Sequence, residues 1–108
     1  MIVYEVNIEV REERYADYRA WLGVHVDEML ALPGFVAAEI LEQREPPSSE
    51  GTRALTVHYR LVDDAALRRY LADHAPRMRE QGLRHFGDAF TATRRVLAVS
   101  APAAVRRS

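Results

Sequence analysis

The sequence contains no cysteine, no lysine and no long apolar run. Without cysteine the chain cannot use disulfides, thiol nucleophiles or cysteine-ligated metals. No apolar stretch approaches the roughly 20 residues that span a bilayer. The chain opens on a strand-like pattern rather than on the cationic and apolar segments of a signal peptide. We therefore expect a cytoplasmic protein without a membrane partner.

The charge balance is equally unspecific, with a formal net charge of −1 at pH 7 over 108 residues. This balance gives no general reason to bind nucleic acid or an anionic membrane. The four histidines show neither HxH nor HxxxH spacing, so we expect no metal site, and we expect no cofactor. The chain is long enough to bury a hydrophobic core without disulfide or metal cross-links. It predicts a single domain over 1–99, followed by a C-terminal tail over 100–108.

A faint internal repeat relates the two halves of the chain at an offset of 49 residues. Segment 21–29 recurs as 70–78, with an aromatic residue, Leu, His and Met at the same places. The strand-like segments before them alternate in the same phase. A strand-then-helix unit is thus used twice, and it places one histidine, His25 or His74, at the same position in each half.

Hydrophobic periodicity predicts the elements. Alternation predicts strands, and apolar residues at helical spacing predict two amphipathic helices. Pro33 should end the first helix, Pro76 should kink or break the second beside His74, and Gly82 should end it. The predicted strands are 2–10, 35–44, 53–61 and 89–99, and the helices begin near residues 14 and 64.

This β-α-β-β-α-β order predicts an α+β, ferredoxin-like fold with a four-stranded antiparallel sheet. We expect the first and third strands to lie side by side and parallel in its centre. Both helices should cover one face and leave the other open. A homodimer that closes two open faces is the favoured assembly, with a monomer as the alternative. The open face offers no aromatic residue for stacking on bases, which argues against nucleic-acid binding.

Polar residues on the open face form one candidate cluster. Glu9 and His58 should lie on neighbouring strands, with Arg60 nearby. A catalytic His–Glu dyad is one interpretation, and a surface or interface ion pair is the other. Arg94 and Arg95 should point to opposite faces, where one could hold a carboxylate ligand or pair with Glu5.

A second candidate site lies between the helices and the sheet. A neutral imidazole near a phenol in a dry pocket can act as a general base. We predict His74 as the base, with Tyr4 or Tyr59 as its hydrogen-bond partner. The predicted ligand-binding residues are Trp21, His25, Tyr70 and Met78. The alternative is that these side chains only pack in the core.

Three functions follow from this second site. Cofactor-independent oxygenation or isomerisation needs little more than a dry cavity, one base and an oxyanion donor. The same cavity could instead bind a small molecule without chemistry. A structural or regulatory dimer with no catalysis is the third possibility.

Certain strings in the sequence resemble known families. LPGFV at 32–36, after a first helix in this element order, resembles the dimeric α/β-barrel superfamily, which includes antibiotic-biosynthesis and haem-degrading monooxygenases. TVHYRL, YLADHAPRMREQGLRHFG and TATRRVL more closely resemble a family of short bacterial proteins whose domain has no known function. The resemblance implies a homodimer whose two sheets form one barrel. It implies no established reaction.

The haem-degrading branch of that superfamily uses an Asn on the first strand, a Trp on the third strand and a His on the second helix. Asn7 and His74 could take two of these places. The third strand has no Trp, and Asn7 should point away from the helices. The resemblance therefore does not extend to haem chemistry.

Overall fold

The computed structural model describes residues 1–101, and Ala98 ends its last strand. The predicted β-α-β-β-α-β order is confirmed, with the second helix divided in two. Residues 100 and 101 are exposed and lie in neither helix nor strand, and the rest of the predicted tail lies outside the described residues. The elements are β1 Ile2–Arg11, α1 Tyr15–Leu30, β2 Phe35–Glu42, β3 Thr52–Leu61, α2 Asp64–Asp73, α3 Ala75–Phe86 and β4 Phe90–Ala98, with short 3₁₀ turns at Glu12–Arg14 and Gly87–Ala89.

The sheet is antiparallel throughout, with strand order β2-β3-β1-β4. The prediction that β1 and β3 are adjacent and central is confirmed, but the prediction that they are parallel is wrong. Helix α1 carries the chain back, so β2 runs in the same direction as β1. The connection to β3 then reverses the direction, and β3 runs against β1. In this register Glu5 faces His58 and Asn7 faces Thr56.

The second helix breaks where proline predicts it. Helix α2 begins after Asp63, whose carboxylate accepts a hydrogen bond from the Ala66 backbone N–H at 2.9 Å and so caps the helix. His74 lies between α2 and α3, and Pro76 occupies the first turn of α3, where its missing N–H costs nothing. Gly82 does not end α3 as predicted. The helix continues to Phe86 and stops at Gly87, whose φ of 52° favours glycine.

The molecule is a two-layer slab with extents of 40 × 39 × 20 Å. The even-numbered residues of β1 and the odd-numbered residues of β3 pack under the helices, as the alternation predicts. The opposite sheet face, hereafter the open face, has no second layer of protein over it in the described chain. Fully buried aliphatic side chains dominate stability, each by about 1.5–3 kcal/mol. The core includes Leu22, Met29, Leu55, Val57 and Leu61.

Candidate functional site

A cavity lies between the helices and the sheet. Its volume is about 50 Å³, which gives room for roughly three to five water molecules. Side chains from β1, β3, β4 and all three helices surround it. The lining residues are Tyr4, Val6, Ile8, Tyr18, Trp21, Leu22, His25, Met29, Val57, Tyr59, Tyr70, Met78, Arg79, Gly82, Phe90, Ala92 and Arg94.

Six of the seven residues predicted for this site line the cavity, namely Tyr4, Trp21, His25, Tyr59, Tyr70 and Met78. The tyrosines form a connected aromatic wall. The Tyr4 ring centroid lies 5.6 Å from that of Tyr70 and 6.2 Å from that of Tyr59. The internal repeat thus brings Trp21 and Tyr70, equivalent residues of the two halves, to one cavity.

The seventh residue, His74, is not among the lining residues, so its expected place beside Tyr4 and Tyr59 is wrong. Its Nδ1 lies 2.8 Å from Nη2 of Arg77 at the exposed junction of α2 and α3. The helical stripe that should have carried it inward ends at Asp73, because α2 stops there and α3 begins at Ala75. The break at Pro76 therefore removes the predicted base from the cavity.

His25 is the histidine that does line the cavity. Its ring stacks on Trp21, with centroids 4.6 Å apart and planes inclined by 18°. Its Nδ1 is fully buried and has no hydrogen-bond partner among residues 1–101. Burial lowers the pKa of His25 below its ordinary 6.5, against the opposing effects of Gln81 and Glu28. The imidazole is therefore neutral at pH 7 and free to accept or donate a proton.

Three tyrosine hydroxyls in the cavity wall are also without partners. Tyr18, Tyr59 and Tyr70 are 2–3% exposed, yet their hydroxyls form no hydrogen bond within the described part of the chain. Burial raises the pKa of all three, that of Tyr70 to about 12. The hydroxyls thus stay protonated and can donate. Among residues 1–101 the fully buried polar side-chain atom without a partner is Nδ1 of His25, whereas these hydroxyls can donate to water or to a ligand in the cavity.

Two arginines complete the wall, and sequence reasoning did not assign them to this site. Arg79 of α3 donates from Nη2 to the Tyr4 hydroxyl at 2.9 Å. Arg94 of β4 lies opposite Val6 and so shares the helix-covered face. The alternation around Arg94-Arg95 predicted one arginine on each face. The sequence could not decide which of them meets a ligand.

The open face carries a different polar network, centred on Glu5. The carboxylate is 5% exposed and accepts hydrogen bonds from the Arg95 guanidinium and, at 2.9 Å, from Asn7 Nδ2. His58 Nε2 lies 2.9 Å from the same carboxylate. The Arg95 side chain above all, and Asn7 next, lower the pKa of Glu5 from 4.5 to about 2.

The predicted pairing of Glu9 with His58 is wrong, whereas His58 and Arg60 do line one shallow pocket together with Glu39. Parallel strands would have aligned Glu9 with His58, whereas the antiparallel register pairs His58 with Glu5 and Glu9 with Ala54. Arg60 lies opposite Val3 and contacts the Met1 sulfur at 3.8 Å. The carboxylates beside His58 are instead those of Glu5, at 2.9 Å from Nε2, and Glu39, at 3.8 Å from Nδ1.

Residues 1–101 contain neither a candidate metal site nor a membrane-spanning helix. Within residues 1–101, no three His, Asp or Glu side chains are grouped so that they could hold a metal ion. Over the same residues, no helix has the length and apolar character needed to cross a bilayer.

Comparison with known families identifies the chain. Residues 1–100 match a domain of unknown function, DUF4286. The chain belongs to the DUF4286 family. No curated protein sequence matches it significantly.

Solved structures similar to this DUF4286 chain show its fold. A putative antibiotic biosynthesis monooxygenase from Deinococcus radiodurans is 17% identical, with a TM-score of 0.68 and coverage of 100% of this chain and 99% of that one. SnoaB, a cofactor-independent oxygenase from Streptomyces nogalater, is 19% identical over 94% of this chain and 95% of its own, with a TM-score of 0.65. A mutant of MhuD with two manganese protoporphyrin IX molecules bound per active site is 15% identical, with a TM-score of 0.71 and coverage of 97% and 100%. The DUF4286 chain therefore has the fold of antibiotic biosynthesis monooxygenases.

Proposed function

We propose that this protein binds a small organic molecule in the cavity between its helices and its sheet. The observation that carries the proposal is that His25, whose buried Nδ1 has no hydrogen-bond partner among residues 1–101, lines that cavity. The unpartnered hydroxyls of Tyr18, Tyr59 and Tyr70 support it. A cavity that served packing alone would be expected to pair these groups with each other or with the backbone. They are instead left available to an occupant.

The size of the cavity limits the occupant. About 50 Å³ holds a molecule of a few heavy atoms without rearrangement, whereas drug-sized ligands need about 300–1,000 Å³. A single aromatic ring would require side chains of the wall to move outward. Arg79 and Arg94 are the exposed members of the wall and can move at least cost.

Haem does not fit this site. The cavity is far smaller than a tetrapyrrole needs. Asn7, which could have matched an Asn of the haem-degrading branch, donates to Glu5 on the open face, and His74 lies outside the cavity. The manganese porphyrins of the MhuD structure therefore carry no implication for this chain.

We further propose that the bound molecule undergoes chemistry without a cofactor, of the oxygenase or isomerase type. Neutral His25 would take a proton from a carbon next to a carbonyl. The hydroxyl of Tyr59 or Tyr70 would donate a hydrogen bond to the oxygen of the resulting enolate. The name of SnoaB, a cofactor-independent oxygenase of the same fold, agrees with this reaction class.

The proposed assembly is a cytoplasmic homodimer closed through the open face. That face belongs to a slab only 20 Å thick. It carries the exposed side chains of Leu41 and Leu97 beside the nearly buried Glu5. Packing two such faces would bury the apolar side chains and keep water from the ion pair. The resemblance to the dimeric α/β-barrel superfamily implies the same arrangement.

A native mass spectrum of the protein purified from its producing cells tests binding and assembly together. We expect a dimer carrying an additional small mass. Ala92→Leu, which fills the cavity, should remove that mass and keep the dimer, whereas Ala65→Leu on the exposed surface of α2 should retain it. A wild-type dimer with no ligand mass, and no ligand recovered from cell extract, would overturn the binding proposal in favour of a structural dimer.

The dimer contact has its own matched pair of variants. Leu97 and Val96 are adjacent on β4 and both exposed, but they lie on opposite faces of the sheet. Leu97→Glu should give a monomer mass, and Val96→Glu should leave the dimer intact. A monomeric wild type, or dissociation by Val96→Glu alone, would contradict closure through the open face.

A further inference from the structure

Arg94 lies at an exposed position of β4, on the face of the sheet that the helices cover. Phe90, Ala92 and Arg94 follow one another along the helix-covered face of β4, and all three line the cavity. Arg95, its neighbour, points to the open face and is held by Glu5. Of two adjacent arginines, one therefore has a carboxylate partner and the other meets the cavity.

Arg79 brings a second guanidinium to the same wall. Its one side-chain hydrogen bond within the described residues goes to the neutral Tyr4 hydroxyl. Neither Arg79 nor Arg94 lies within 4.0 Å of a carboxylate in residues 1–101. By contrast Arg84, on the outer surface of the same helix as Arg79, pairs with Glu80 at 3.0 Å. The positive charges at the cavity are thus not neutralised by the protein.

Apart from His25, whose neutral ring can accept as well as donate, the remaining polar groups of the wall also favour a ligand with oxygen acceptors. Across residues 1–101, the lining contains no Asp, Glu, Asn or Gln. Its tyrosine hydroxyls are protonated donors, and its guanidiniums can only donate. The aromatic rings, by contrast, offer flat apolar surface. A ligand suited to this wall needs oxygen acceptors, negative charge and a flat apolar body.

We propose that the occupant is a small planar organic anion, of the aromatic carboxylate class, whose carboxylate is held by Arg79 and Arg94. This inference rests on the proposed function and names the chemical class of its ligand. Arginine binds carboxylates through two parallel N–H···O bonds, which fix the orientation of the ligand as well as its charge. The outward movement of the two arginines that admits a ring would also bring their guanidiniums to the carboxylate.

The test uses benzoate and benzamide, which have nearly the same shape and differ in charge. Trp21 is the chain's single tryptophan and lines the cavity, so its fluorescence reports binding. We expect benzoate to bind at least about tenfold more tightly than benzamide, since charge-assisted hydrogen bonds are roughly twice as strong as neutral ones. Arg94→Gln and Arg79→Gln should each weaken benzoate binding about 10- to 100-fold and change benzamide binding little. Arg84→Gln is the matched control and should change neither.

The outcomes separate this inference from the proposal on which it rests. Equal binding of benzoate and benzamide, unaffected by either cavity variant, would overturn the anion inference and leave a cavity that binds neutral molecules. If neither probe binds, while Ala92→Leu also leaves the native mass spectrum unchanged, both proposals fall. Tighter binding of benzoate that Arg84→Gln reduces as much as Arg94→Gln would show a general charge effect and contradict the assignment of the two arginines.

Discussion

Replacing Glu5 with glutamine should destabilise the protein by about 1–2 kcal/mol at pH 7. The Arg95 guanidinium, then Asn7, lower the pKa of Glu5 from 4.5 to about 2. At about 1.36 kcal/mol per pKa unit, the full shift corresponds to about 3 kcal/mol. The Arg95 side chain is 65% exposed, so water screens the pair and roughly half of that value remains.

The sign of the pH dependence follows from the lowered pKa. A carboxylate whose pKa is lower in the folded state stabilises the fold above its unfolded pKa, here 4.5, and this contribution disappears as the pH falls towards about 2. Wild type should therefore be more stable than Glu5→Gln at pH 7. The difference should shrink steadily below about pH 4.5.

Urea unfolding followed by Trp21 fluorescence, at one fixed protein concentration, measures this difference. Glu9→Gln is the control, because Glu9 lies on the same strand and face but is exposed and has no ion pair within the described residues. It should change stability by less than about 0.5 kcal/mol. Equal midpoints for wild type and Glu5→Gln at pH 7, or a difference that does not shrink in acid, would refute an Arg95-stabilised carboxylate.

Two further predictions concern a glycine turn and the cavity histidine. Gly34→Ala should lower the free energy of unfolding in urea by more than about 2 kcal/mol, because φ is 84° and a Cβ would lie 2.4 Å from that of Ala66. Gly51→Ala is the control: its φ is 80° but the space around it is open, so it should lower that free energy by only about 1 kcal/mol. Equal losses of stability in the two variants would contradict the clash. NMR titration of the His25 ring should give a midpoint below 6.5, since burial lowers its pKa; a midpoint at or above 6.5 would show that the ring is solvated.

Periodicity and the repeat were sufficient to predict every strand and both helical regions. Strands and helices depend on short-range patterns in the sequence. The alternation in β1 and β3 correctly assigned each side chain to a face of the sheet. Strand direction depends instead on how the chain is connected, and the parallel alignment of β1 and β3 was the error. Because of that error Glu9 was predicted as the partner of His58, whereas His58 faces Glu5 in the structure.

Most residues predicted for the cavity site do line it, but the position of His74 and the choice between Arg94 and Arg95 were not predicted from the sequence. Tyr4, Tyr59 and Tyr70 reached the cavity because helical and strand periods determine which face a residue occupies. Pro76 was correctly identified as a helix breaker, but the sequence did not show that the break leaves His74 outside the cavity wall. Arg94 rather than Arg95 faces the cavity because β4 pairs with β1 in a register that places Arg94 opposite Val6. The alternation within β4 alone does not specify that register.

The antiparallel register gives the internal repeat a geometric meaning. Asn7 faces Thr56 across the two central strands and is bonded to it at 2.8 Å, and Thr56 is also its equivalent 49 residues on. That pair therefore marks a pseudo-twofold axis normal to the sheet. Under it the cavity should hold two histidines, yet among residues 1–101 it holds only His25. The pseudo-symmetry is also broken at Leu22, whose equivalent Leu71 is not among the lining residues, so the two ends of the cavity have different walls.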